Sequence, residues 1–114
     1  MSTYDNLPVY KASYDLLVEI FKFVKIFSRE YKYTIWEELK KEVLWVIRTI
    51  YKANSSFEKR KDNIKESRIH IETLRLYLRL CKDLKIIWIP KFVFLNQIIE
   101  SISKQLLFWE RSTK

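Results

Sequence analysis

No glycine occurs anywhere in the 114 residues, and the only two prolines stand at positions 8 and 90. Average glycine usage is near 7%, so a chain of this length lacks it by chance only about a few times in ten thousand. The absence removes the loops that cradle phosphate, the nucleophile elbow and the dinucleotide fingerprint, all of which need glycine backbone. Helical bundles need glycine least. Both prolines suit helix first turns, where a missing N–H costs nothing.

Helical periodicity fills the space between them. Tyr10, Tyr14, Leu17, Phe21 and Val24 form one stripe and Leu16, Ile20, Phe23 and Phe27 its neighbour, a wide face predicted to be buried. Thr34-Ile35-Trp36-Glu37 has the capping-box form and predicts a second helix with Ile35, Leu39, Val43, Val46 and Ile50 inward. Ser55 and Glu58 repeat that spacing, so a third helix is expected from about Ser56, burying Ile64, Ile71, Leu74, Leu78 and Cys81 with Tyr77 and Leu84 beside them. Ile86-Ile87-Trp88-Ile89 has no partner run to pair with as a strand and reads as a tight connector. A last helix buries Phe92, Leu95, Ile99, Ile102, Leu106 and Trp109. The pattern predicts a single all-α domain over residues 1–114, an antiparallel up-down-up-down four-helix bundle with helices at about 8–29, 35–54, 56–85 and 90–111.

The lone His70 and lone Cys81 give no cluster able to hold a transition metal, and no nucleophile with a base and orienting acid can be assembled around His70. Neither catalysis nor a cofactor is expected. No apolar run reaches the roughly 18 residues of a membrane span, and Met1-Ser2-Thr3-Tyr4-Asp5 lacks the form of a signal peptide. With one cysteine and no internal disulfide, the expected location is the cytoplasm, with Cys81 a buried small hydrophobe.

Twenty-two Lys and Arg against fourteen Asp and Glu leave a net charge of +8, which favours polyanionic partners through counterion release. Part of that charge is ordered. Lys61, Lys65, Arg68, Arg75, Arg79 and Lys82 advance in steps of four, three, seven, four and three, which keeps them on one side of the third helix as a candidate nucleic-acid-binding row. Tyr31-Lys32-Tyr33, with Arg29 nearby, is a loop candidate for stacking on bases.

Tyr33-Thr34-Ile35 with Glu37-Glu38-Leu39, Ala53-Asn54, Leu74-Arg75-Leu76-Tyr77-Leu78-Arg79-Leu80 through Lys82-Asp83-Leu84-Lys85, and Leu107 with Trp109 resemble, in order and spacing, the accessory proteins of diversity-generating retroelements. This is the Avd-like family, with bacterial large-subunit rRNA intervening-sequence proteins as more distant relatives. The resemblance implies a four-helix, non-enzymatic homopentamer that binds RNA and DNA and partners a reverse transcriptase. By position, Arg75 and Arg79 match basic residues of the family's third helix.

Four residues depart from the family pattern. Trp36 and Phe108 stand where the pattern has glycine, Trp88 where it has a small capping residue, and Trp45 lies among polar helical neighbours. Large rings on a polar face signal a protein interface. Trp36, Trp45, Trp88 and Phe108 are therefore read as a contact patch, engineered onto a natural scaffold to meet a second designed component, or as natural drift with partial burial at helix ends. The alternative to the nucleic-acid reading is a self-assembling structural module, with the basic row set against acids such as Glu66, Glu72 and Asp83 of a neighbouring subunit.

Overall fold

A computed structural model describes residues 7–114, the side chain of Val24 excepted. The run Met1 to Asp5, considered above for a leader, lies outside the described residues. Four long helices make an all-α bundle: α1 (Pro8–Lys22), α2 (Glu37–Ser55), α3 (Arg60–Asp83) and α4 (Ile89–Ser112). No strand occurs among the described residues, and no helix of theirs is long and apolar enough to cross a membrane.

Contacts between α2 and α3, and between α3 and α4, run in opposite directions along the two helices. Between α2 and α3, Arg60 reaches Ala53, Ser67 reaches Val46 and His70 reaches Glu42. Between α3 and α4, Arg68 meets Glu110, Arg75 meets Glu100 and Lys82 lies over Phe92. Lys91 of α4 returns to Glu19 of α1. The order is thus the antiparallel one that short connections between long helices favour.

The core is nearly the one periodicity predicts. Leu39, Val43, Val46 and Ile50 from α2 are inaccessible to solvent, as are Ile64, Ile71, Leu74 and Cys81 from α3 and Leu95, Ile99, Ile102 and Leu106 from α4. On α1 only the second of the two expected stripes is fully inside. Leu16, Ile20 and Phe23 are buried together with Phe27 just beyond the helix, whereas Tyr14 and Phe21 are exposed. A wide apolar face on a helix with two neighbours leaves its margin at the surface. Leu84, expected beside the core, is also exposed, because it follows the last turn of α3.

Both predicted capping boxes are absent. After α1 the chain tightens into a 3-10 turn (Phe23–Ile26), goes extended at Phe27, and re-enters helix at Arg29–Tyr31. A wide π turn, Lys32–Trp36, then leads into α2. Thr34 is already inside helical backbone, so its hydroxyl donates back to the Glu30 carbonyl at 3.2 Å instead of accepting from an N–H near Glu37. Tyr31-Lys32-Tyr33 is accordingly helical, with Tyr31 packed on the core and Tyr33 exposed. Ser55 likewise donates to the Tyr51 carbonyl at 2.8 Å, and α3 starts at Arg60 rather than Ser56. Arg60 closes the end of α2 instead, its guanidinium donating to the carbonyls of Ala53 at 2.8 Å and Asn54 at 3.2 Å. A cation on the last carbonyls of a helix satisfies them and complements the dipole.

Candidate nucleic-acid interface

The basic row is carried by α3, whose opposite side is anchored by Ile64, Ile71, Leu74, Leu78 and Cys81. That burial fixes the helix's rotation and so directs the cations toward the α3–α4 seam and the solvent beside it. Burial also pushes the Cys81 thiol up to about 12, which keeps it an unreactive apolar group.

The seam divides the six cations into two sets. Arg68 donates to Glu110 of α4 at 2.5 Å, and Arg75 binds Glu100 of α4 as well as Glu72 of its own helix at 3.0 Å. Partial burial disfavours the Arg75 charge, but Glu100 and Glu72 outweigh it and raise its pKa above the ordinary guanidinium value. Lys82 lies 4.9 Å from the centre of the Phe92 ring and 3.8 Å from Asp83. These three bind α3 to α4. Lys61 and Lys65 are exposed with no ion pair among the described residues, and the Arg79 side chain is 73% exposed, with Asp83 at 4.0 Å. Those three are the cations available to an external phosphate.

The acids beside the row make their contacts within this same chain. Glu72 pairs with Arg75, Asp83 lies beside Arg79 and Lys82, and Glu66 stands 3.9 Å from His70. Glu100 and Glu110 are acids that reading α3 alone misses. They are ten residues apart on α4, and only the antiparallel register brings them to Arg75 and Arg68.

A second basic surface lies on α2. Lys41, Trp45, Arg48 and Lys52 advance by four, three and four, a one-sided spacing already present in the sequence. The Trp45 ring stacks on His70 of α3, centroids 5.5 Å apart and planes 8° from parallel, while Arg48 and Lys52 lie 5.4 and 5.9 Å from its centre. His70 is held from behind by Glu42 at 2.5 Å. Trp45 therefore lies along the α2–α3 boundary, half-buried, and presents cations beside an aromatic ring.

The other off-pattern aromatics occupy separate settings. Trp36 is partly buried: its indole N–H donates to the Ile20 carbonyl at 3.2 Å, its ring meets Phe21 edge-on at 5.9 Å, and Lys40 lies over it at 4.7 Å. Trp88 is exposed before the first turn of α4, next to Phe23 and Ile26. Phe108 is exposed near the other end of α4, beside Leu7, Pro8 and Trp109. Trp36 and Trp45 serve contacts within the chain, and only Trp88 and Phe108 project freely. Among the described residues no group of His, Cys, Asp or Glu is arranged to hold a metal ion.

The family model described as bAvd-like matches residues 9–113, from the first buried residue of α1 to the residue after α4. Searches of curated proteins and of solved structures found no match.

Proposed function

The chain belongs to the bAvd-like family, and from that premise we propose that it is a non-enzymatic accessory protein of a diversity-generating retroelement, binding nucleic acid and working with a reverse transcriptase. In this reading Lys61, Lys65 and Arg79 neutralise phosphate without reading sequence, while Arg68, Arg75 and Lys82 hold their helix in place. The observation that carries it is the exposure of those three cations on a helix whose rotation is fixed by its core and its seam. A net charge of +8 supports the same partner. The homopentamer implied by the family resemblance would repeat the surface and multiply a weak contact into a strong one.

The second reading is a structural self-assembling module. It is favoured by Ile69 and Leu76, which are exposed in an apolar line on the outward side of α3. Size-exclusion light scattering at low and high salt, with absorbance at 260 and 280 nm, separates the two. Nucleic acid copurifying at low salt and lost at high salt is expected, as is strong weakening of RNA binding on joint replacement of Lys61, Lys65 and Arg79 by Gln. Unchanged affinity in that triple variant would refute the site, and an assembly that dissociates on the same substitutions would favour the structural module.

A further inference from the structure

At the end of the bundle where α1 stops and α4 begins, the chain leaves an open apolar groove of about 690 Å³. Its floor is Phe23 and Ile87, both buried. Its walls are Ile26, Trp88 and Phe94, with Trp88 82% exposed and its indole in no side-chain hydrogen bond or ring contact among the described residues, its carbonyl accepting only the Phe92 N–H of its own helix. The volume lies within the roughly 300–1,000 Å³ of clefts that take a ligand. Along the seam beyond it the lining becomes mixed, Asp15, Gln97 and Ser101 interrupting Ala12, Val18 and Ile98, so the purely apolar stretch is short.

Cations frame this groove. Lys91 lies 4.9 Å from the Phe23 ring and 5.0 Å from the Phe94 ring, and Lys22, Lys25 and Lys85 are exposed on the segments that form its rim. The one acid in the lining, Glu19, is already bonded to Lys91 at 2.8 Å and Lys22 at 3.3 Å. The groove also opens at the N-terminus of α4, where Trp88 supplies no side-chain cap to the free N–H groups. Positive charge therefore meets the occupant from the rim and from the helix end.

We propose that this groove docks a short amphipathic helix of another protein, one that inserts two or three apolar side chains between Ile26, Trp88 and Phe94 and carries acidic residues toward the exposed Lys25 and Lys85. A helix lays anchors at i, i+3 or i+4 and i+7 into a channel of this kind, and an exposed Trp at its wall is the residue type that dominates such contacts. A second copy of this chain meeting it end to end is a poor occupant, because it brings the same exposed lysines to the contact. A bilayer is a poor one too, because the groove is concave and its two floor residues lie below the reach of a flat surface. The site shares no residue with the cations assigned to nucleic acid, so either assignment can fail without the other.

The test is selection of a displayed library of ~14-residue peptides on the intact protein, followed by fluorescence anisotropy of the enriched sequences. Enriched peptides are expected to be net acidic with helically spaced apolar anchors. Trp88→Ala or Ile26→Ser should weaken them about tenfold, whereas Phe108→Ala at the opposite end changes affinity less than roughly twofold. Thermal melts of the three variants report whether each is folded. Enrichment of basic or unpatterned peptides, or binding indifferent to Trp88→Ala and Ile26→Ser, would overturn the proposal. So would Trp88-dependent binding of phosphatidylglycerol vesicles without peptide binding, or a Trp88-dependent fall in the protein's own mass.

Discussion

Lys85 sits at φ 60°, in the left-handed region that glycine occupies at no cost and other residues occupy at about 1–2 kcal/mol. It ends α3 as a Schellman turn: the Ile86 N–H donates to the Cys81 carbonyl at 2.8 Å and the Lys85 N–H to that of Lys82 at 3.0 Å. A chain without glycine has accepted strain where glycine would serve best. Lys85→Gly should therefore raise the unfolding free energy by about 0.5–1 kcal/mol, part of the relief being offset by the freer unfolded chain, as urea denaturation will show. Glu19 gives a second test at this scale. Its hydrogen bond to Lys91 is the largest influence and, with Lys22, holds its pKa below the ordinary 4.5 against burial. A lowered pKa in the folded state means stability that is present above pH 4.5 and lost as pH falls through the folded value. The stability gap between the wild type and Glu19→Gln should accordingly be full at neutral pH and close below pH 4.5.

At the scale of the helix, apolar spacing was a reliable guide and capping signals were not. The stripes on α2, α3 and α4 became core because each helix has one inward direction, and a period of 3.6 finds it without knowledge of neighbours. Thr34 and Ser55 misled because a capping box is a local preference, and here backbone helix continues through Thr34 while Arg60 closes α2 from across the turn. Trp45 misled for a related reason: its polar neighbours indicate a surface, but His70 comes from another helix to cover it. The basic row was legible as a row. Its division into seam and free cations was not, since Glu100 and Glu110 enter only through the α3–α4 register. The inward and outward faces of α3 can be told apart by truncation. Ile71→Ala, at a fully buried site, should cost about 2–5 kcal/mol in denaturant melts. Leu76→Ala, on the exposed side, should stay within about 0.5 kcal/mol.

At the scale of the whole fold, the described residues extend 44 by 23 by 21 Å, a rod set by its two helices of 24 residues, each about 36 Å long at 1.5 Å per residue. Its features are spread along that rod. The exposed cations follow α3, the cation and tryptophan surface lies on α2, and the apolar groove with Trp88 occupies the end where α4 begins. Under the two proposals, this separation would let nucleic acid lie along one side and a protein segment dock at one end. The central proposal is that one row on α3 serves two purposes, Arg75 holding the seam and Arg79 meeting phosphate. Arg75→Gln and Arg79→Gln should be compared in the same preparation by thermal unfolding and by RNA binding over a range of salt. Arg79→Gln is expected to weaken binding and reduce the salt slope by about 0.7–0.9 with the melting temperature unchanged. Arg75→Gln is expected to lower stability by about 0.5–1 kcal/mol with the salt slope unchanged. The opposite pattern, with Arg75 governing the salt slope and Arg79 governing only stability, would contradict that division.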